Sequence, residues 1–246
     1  MKKMLLTGNE AVARGAWEAG VRYASAYPGT PSTEILETLA EYKDDILAEW
    51  APNEKVAFEA AMGGAFAGAR TLAAMKHVGV NVAADPLFTM AYIGTNGGMV
   101  LITADEPGQH SSQNEQDNRQ YARFAKVPLL EPSDSQESLD MMKVAYDVSE
   151  AFDTPVLLRM TTRVCHSKGI VEVGERTEVP IRPYVKDVRK YMTIPDFARK
   201  MRVKVEERTE RLAEYSNESP LNFIEWHDRS VGVIASGAAY RFAREV

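Results

Sequence analysis

The stretch Trp50-Ala51-Pro52-Asn53-Glu54-Lys55-Val56-Ala57-Phe58-Glu59-Ala60-Ala61-Met62-Gly63-Gly64-Ala65-Phe66-Ala67-Gly68-Ala69-Arg70 decides how this chain is read. Asn53 is a good helix N-cap. It puts Glu54 in the first turn, where the helix dipole favours a negative charge. Beyond Glu54 the helix is built largely of alanine and glycine, which leave little side-chain volume. A glycine inside a helix costs roughly 0.5–1 kcal/mol relative to alanine. Gly63, Gly64 and Gly68 therefore imply that something approaches this helix closely: a neighbouring helix, another subunit or a cofactor. A first-turn acid is also what any helix start selects, so Glu54 by itself leaves these options open.

Outward from this helix, short apolar runs alternate with helical patterns. Strands are expected at Val21 to Tyr27, Ile46 to Trp50, Thr71 to Lys76, Met99 to Ala104, Val127 to Leu130 and Val156 to Met160. Helices are expected near 54–70, 83–93, 115–125 and 135–152, with an earlier one capped by Asn9 and closed by Gly20. Thr30 as N-cap with Pro31 at the first helical position opens another, whose apolar stripe is Ile35, Leu36 and Leu39. This alternation predicts an α/β domain over residues 1 to about 175, with a mostly parallel sheet and helices on both faces. Residues 176–229 are charged and proline-punctuated and read as a connector with one amphipathic helix from about Pro195 to Tyr215. Ser230 to Gly237 then reads as a buried strand turning into a helix, Ala238 to Val246. A lone strand–helix unit cannot bury its own apolar faces, so 230–246 is expected to begin a further α/β domain, of this or a separate chain.

Composition narrows the class. A formal net charge of -6 argues against a nucleic-acid footprint, which shows as a basic face. One cysteine, Cys165, excludes internal disulfides and any cluster held by four cysteines of this chain. No apolar run approaches the roughly 18 residues of a membrane helix, and the start is too short in apolar residues for a signal peptide. A cytoplasmic protein is expected. Nucleotide folds of the Gly-x-Gly-x-x-Gly or Walker type and a Gly-x-Ser-x-Gly hydrolase elbow are absent from the sequence.

Glu54 followed nine positions later by Gly63, in an alanine-rich helix, resembles the pyrimidine-binding domain of thiamine-diphosphate enzymes. Glu59 lies inside the helix and lacks that spacing. Tyr27-Pro28-Gly29-Thr30-Pro31-Ser32 is similar to the Tyr-Pro-x-Thr-Pro-Ser loop of 2-oxoacid:ferredoxin oxidoreductases. His110-Ser111-Ser112-Gln113-Asn114-Glu115-Gln116-Asp117-Asn118-Arg119 resembles the polar loop of the indolepyruvate subgroup's alpha subunit. Met75-Lys76-His77-Val78-Gly79-Val80-Asn81 resembles the loop that faces the cofactor.

The resemblance implies the thiamine-diphosphate-binding fold and a set of roles. Glu54 hydrogen-bonds the aminopyrimidine ring and is the catalytic group. Gly29 and His77 lie against the cofactor, while Thr30 and Arg119 take the 2-oxoacid, the guanidinium fork suiting its planar carboxylate. Arg163 and His166 match an Arg-x-x-His segment read as structural or interfacial. The implied reaction is oxidative decarboxylation of an aryl 2-oxoacid to acyl-CoA, with ferredoxin as acceptor. The family's Gly-Asp-Gly diphosphate segment and its cysteine clusters are absent from this sequence. The resemblance therefore assigns magnesium, the 4Fe-4S clusters, coenzyme A, the diphosphate-binding domain and the beta subunit to the rest of a complete enzyme. Taken alone the chain is expected to be inactive, with self-association through the small-residue helix. The competing readings are another thiamine-dependent oxidoreductase or decarboxylase, and a non-catalytic α/β domain in which that helix only packs a dimer.

Overall fold

The computed structural model describes residues 2–246. The strands are β1 (Lys2–Thr7), β2 (Tyr23–Ala26), β3 (Leu47–Trp50), β4 (Thr71–Lys76), β5 (Met99–Asp105), β6 (Leu129–Leu130), β7 (Val156–Thr161) and β8 (Lys168–Val173). The helices within this series are α1 (Gly8–Glu18), α2 (Thr33–Leu39), α3 (Glu54–Phe66), α4 (His77–Val82), α5 (Ala84–Ile93), α6 (Arg119–Ala125), α7 (Ser135–Phe152) and α8 (Thr162–His166). After them come α9 (Val188–Tyr191), α10 (Pro195–Glu218) and α11 (Gly237–Glu245).

Six strands form one parallel sheet in the order β3-β2-β4-β5-β7-β6. Alternation along β4 shows why both faces are covered. Leu72 and Ala74 join one core with Val12, Ile35, Leu36, Met142 and Tyr146, from α1, α2 and α7. Ala73 and Met75 join the other with Phe58, Ala61, Val80, Leu87 and Met90, from α3, α4 and α5. Side chains alternate across a strand, so the middle of a central parallel strand is apolar on both faces. This is the α/β fold with helices on both faces that the sequence pattern predicts.

Three local expectations are corrected. The first helix is capped by Thr7, not Asn9. Thr7 and Glu10 form a capping box, Thr7 Oγ1 accepting from the Glu10 amide at 3.1 Å and Glu10 Oε2 from the Thr7 amide at 2.6 Å. The next helix starts at Thr33, not at Pro31; Thr30 and Pro31 lie in the loop before it, joined by a cis peptide. The stretch Ser230 to Gly237, expected as a buried strand, forms no ladder, and Val231, Val233 and Ile234 are exposed. A strand needs a neighbour to take its backbone hydrogen bonds, and no edge of this sheet reaches it.

A ribbon that the sequence reading missed, β1 antiparallel to β8, closes one end of the domain over α1 and α7. Cys165 is buried in the first core, where burial pushes its thiol pKa up. It is a packed small hydrophobe, not a reactive thiol.

The segment after β8 is tied down as a strap. Arg176 donates to the carbonyls of Trp17 and Val21, and the Arg182 amide donates to Gly68 O at 3.0 Å. Glu150 gathers Arg70, Arg182 and the Gly98 amide around one carboxylate. Burial works to raise the Glu150 pKa, but these donors, Arg70 foremost, hold it below the ordinary glutamate range. A depressed carboxylate stabilises the fold above its unfolded pKa of about 4.3, and that stability is lost as pH falls through the lower folded value. Glu150→Gln is expected to cost about 1–3 kcal/mol at pH 7. Its gap from wild type, read in urea titrations, should close as pH drops below about 4.

Candidate active site

Where neighbouring parallel strands send their connections to opposite faces, a crevice opens at their carboxyl ends. Here those strands are β2 and β4. β2 runs through the Tyr27–Ser32 loop into α2 on one face, and β4 runs into α4 on the other. A cleft of about 550 Å³ lies at this point, walled by Tyr27, Pro28, Gly29, Glu54, Lys76, Val78, Asn81, Val82, Gln113 and Asn114.

Glu54 stands in it as the first residue of α3. The side chain of Asn53, not Glu54, caps this helix, accepting from the Val56 amide at 3.0 Å. Glu54 thus spends neither oxygen on the fold: among the described residues it has no side-chain hydrogen bond and no ion pair. Space for it is made by Gly79, where a Cβ would lie 2.6 Å from Glu54 Cγ and 2.7 Å from Oε1. An uncommitted carboxyl held against a glycine is free to share a proton with an acceptor ring nitrogen, the chemistry an aminopyrimidine partner would require. Glu59, the alternative acid, is exposed and pairs with Lys55 on the helix surface.

The loop carrying Gly29 is clamped. The Gly29 amide donates to Thr33 Oγ1 at 2.9 Å, and Ser32 Oγ donates back to Gly29 O at 3.0 Å. Asn9, released from capping, donates from Nδ2 to Pro31 O at 2.7 Å and to Glu34 at 3.0 Å. Gly29 lines the cleft, and Thr30 lies exposed one residue beyond it.

His77 does not itself line the cleft. It is fully buried beneath the cleft, and its Nε2 donates to Asn114 O at 3.1 Å while Nδ1 has no partner. It reaches the cleft only through Asn114, which it holds in place. Arg119 is the first residue of α6 and does not line the cleft. Asp117 grips its guanidinium with both carboxylate oxygens at 2.8 Å, and Glu131 lies 3.9 Å away. Asp117 is held below the usual carboxylate range, chiefly by that Arg119 bond.

The helix expected from about residue 115 begins at Arg119 because the preceding loop folds onto buried acids. Asp105 accepts from the Asn118 amide at 2.9 Å and pairs with Arg159 at 2.7 Å. Burial pushes the Asp105 carboxyl up, against Arg159 and the Asn118 amide. Asn118 Nδ2 donates to His77 O and Thr103 Oγ1, joining the ends of β4 and β5 to the loop. Asn118→Ala leaves these acceptors buried and unpaired. It is expected to lower stability by about 1–3 kcal/mol, read as a fall in the urea midpoint.

The small residues of α3 divide into separate causes. At Gly64 a Cβ would meet Thr71 Cγ2 at 2.8 Å, so β4 explains it. Gly68, expected within the helix, lies after its end at Phe66, with φ +98° under the Arg182 backbone of the strap. Only Gly63, in an outer stripe with Val56, Ala60 and Ala67, faces open space.

An open parallel sheet with a clamped glycine loop and a free carboxylate at its switch point defines a ligand-binding α/β domain. The chain belongs to the pyruvate flavodoxin/ferredoxin oxidoreductase thiamine-diphosphate-binding family, whose model matches residues 14–221. It is 47% identical over 252 residues to the indolepyruvate oxidoreductase subunit IorA of Archaeoglobus fulgidus, covering 99% of this chain and 40% of that protein. The IorA subunit of Methanothermobacter thermautotrophicus is also 47% identical, over 98% of this chain and 40% of its own length. A 2-oxoglutarate synthase subunit KorA of the same organism is 27% identical over 72% of this chain and 50% of its own length. The fold is that of the 2-oxoglutarate:ferredoxin oxidoreductase of Magnetococcus marinus, with TM-score 0.73 and 16% identity, covering 99% of this chain and 50% of that one. The chain thus spans about 40% of the length of the IorA relatives it matches. No helix among the described residues is long and apolar enough to cross a membrane.

Proposed function

We propose that this chain is the pyrimidine-binding part of the alpha subunit of a cytoplasmic enzyme that oxidatively decarboxylates aryl 2-oxoacids, indolepyruvate among them, to acyl-CoA with ferredoxin as acceptor. The observation that carries the reading is Glu54, an unpaired carboxylate facing a cleft at the switch point of the sheet. When bound, thiamine diphosphate supplies the electron sink for decarboxylation. Glu54 holds a proton at the aminopyrimidine ring nitrogen, and Gly29 lets the ring approach the loop without a side chain between them. His77 acts on the cofactor through Asn114. Thr30 and Arg119 are assigned to the 2-oxoacid by the family likeness; Arg119 has to exchange Asp117 for substrate to play that part.

Magnesium and the diphosphate belong to the diphosphate-binding domain, and the 4Fe-4S clusters and coenzyme A to other parts of the complete enzyme. Its beta subunit and ferredoxin are the proposed partners. The stripe at Gly63 is a face for self-association or for the diphosphate-binding domain. Residues 1–175 are the cofactor domain, 176–229 the strap and connector, and 230–246 the start of a transketolase C-terminal-like domain whose sheet takes Val231 to Ile234. The test is thiamine-dependent reduction of an artificial electron acceptor by the complete enzyme with an aryl 2-oxoacid and coenzyme A. Decarboxylation without acceptor reduction would favour a decarboxylase. Turnover by the 246-residue chain alone would overturn its assignment as a part.

A further inference from the structure

Arg119 is assigned to the 2-oxoacid, yet the fork that would grip a carboxylate is already filled from within the chain. Asp117 Oδ1 accepts from Arg119 Nε and Oδ2 from Nη2, both at 2.8 Å. Two parallel N–H···O bonds of this kind are how an arginine holds any carboxylate. The remaining Nη1 looks toward Glu131 Oε2 at 3.9 Å. Asp117 is also tethered: its Oδ1 accepts from the Arg119 amide at 3.1 Å, which keeps the acid beside the guanidinium. The pair is open to a ligand, the Arg119 side chain being 49% and that of Asp117 39% exposed.

A second guanidinium adjoins this pair. Arg159 Nε lies 3.8 Å from Asp117 Oδ1. Arg159 is nearly buried and donates from Nε to Asp105 at 2.7 Å and from Nη1 to Glu131. Its Nη2 has no hydrogen-bond partner among the described residues. Asp117 can therefore leave Arg119 by rotating its own side chain and still stand beside a cation. Glu131 has no such freedom, being held by Arg159 and by Ser236 Oγ at 2.8 Å.

Asp105, Asp117 and Glu131 thus share Arg119 and Arg159, so the cluster already carries more negative charge than positive. A substrate carboxylate arriving at Arg119 is opposed until one of these acids gives way, and Asp117 is the one free to move. We infer that Asp117 is an internal competitor of the substrate: its carboxylate occupies the Arg119 fork until a 2-oxoacid displaces it toward Arg159. Asp117 is then a positioning residue that acts through Arg119. Every ligand that uses the fork has to overcome it, and a ligand without a carboxylate is indifferent to it. The inference rests on the assignment of Arg119 to the 2-oxoacid and names the residue that sets how strongly that contact is made.

The experiment uses the complete enzyme, with phenylpyruvate as substrate and 3-phenylpropionate and its amide as competitive inhibitors. Asp117→Asn keeps an oxygen for the Arg119 amide but sets an NH2 donor against Nη2. In this variant the KM for phenylpyruvate should fall by about 3–10-fold, the size expected of a half-exposed bidentate ion pair. The kcat should change little, because the freed contact serves ground state and transition state alike. Inhibition by 3-phenylpropionate should tighten by a similar factor, and inhibition by the amide should stay as in wild type. If Asp117 instead holds Arg119 in its productive pose, the sign reverses, so a raised or unchanged KM overturns the inference. Loss of any negative charge near the site would also draw anions, and a cycle with Arg119→Gln separates the two causes. Adding Asp117→Asn to Arg119→Gln should bring no further gain, and an equal gain in that background overturns the inference. Should Asp117→Asn fail to assemble, Asp117→Ser offers the Arg119 amide a hydroxyl but no fork, and the same signs decide. Arg119→Gln that binds both inhibitors as wild type does would remove the assignment of Arg119, and the inference with it. Failure of the wild-type enzyme to bind thiamine diphosphate would remove the thiamine reading itself.

Discussion

In the complete enzyme, Glu54→Gln is expected to lower kcat by about 10²–10⁴-fold, the range for loss of a positioned proton-transfer group. The change is close to isosteric, and the structure shows why the fold should not feel it. Asn53 caps α3 through its own side chain, and among the described residues Glu54 holds no side-chain hydrogen bond or ion pair that the substitution would break. What the helix loses is one favourable charge in its first turn, worth about 0.3–1 kcal/mol. Thermal stability and assembly should therefore stay near wild type while turnover falls. Glu59→Gln is the control: it lies one turn further on, pairs with Lys55 at the surface, and should keep normal kcat. Near-normal turnover in Glu54→Gln, with thiamine diphosphate bound, would leave α3 as a packing helix and remove the catalytic assignment.

How much of this was legible beforehand differs by element, for physical reasons. The six-stranded sheet was readable because each central strand is buried on both faces and so is a short, mainly apolar run, with polar residues confined mostly to its ends. The ribbon of β1 and β8 was not, because one face is open: Leu5 and Ile170 are exposed, and the pattern lacks a continuous apolar run. The cap at Thr7 was readable in principle, since Thr7 and Glu10 have capping-box spacing. Asn9 competes with it locally because asparagine also caps helices, and its actual task, holding Pro31 O, is a long-range contact no local pattern reveals. At the site, Glu54 and Gly29 were legible through the family resemblance of their motifs. Gly79 and Asn118 were not, because their roles depend on which strand ends meet. One hint was present: Asp105-Glu106, two consecutive acids at the end of an apolar strand, which are costly to bury unless something pairs with them. The small-residue helix was over-read. Of the three glycines read into it, Gly64 answers to β4, Gly68 falls after its end under the chain's own strap, and Gly63 alone faces open space.

Gly79→Ala should separate catalysis from stability more sharply than any change at Glu54 itself. An alanine Cβ at position 79 would meet Glu54 Cγ at 2.6 Å and Oε1 at 2.7 Å. Both atoms belong to the outer part of a flexible side chain, so the conflict is relieved by rotation of Glu54 and not by movement of backbone. The helix gains from the exchange, since alanine is favoured over glycine by about 0.5–1 kcal/mol in a helix interior. The urea midpoint should thus hold or rise slightly. Activity should move the other way, because displacing a reacting group by about 1 Å costs on the order of 10²-fold. Gly64→Ala gives the contrast: its Cβ meets Thr71 Cγ2 at 2.8 Å in the packed interface with β4, so its cost should appear in stability. A double-mutant cycle fixes the cause. If Gly79 acts only by making room for the Glu54 carboxylate, the double variant Gly79→Ala, Glu54→Gln should be no slower than Glu54→Gln alone. Fully additive losses, or normal turnover in Gly79→Ala, would show that the glycine does not position Glu54.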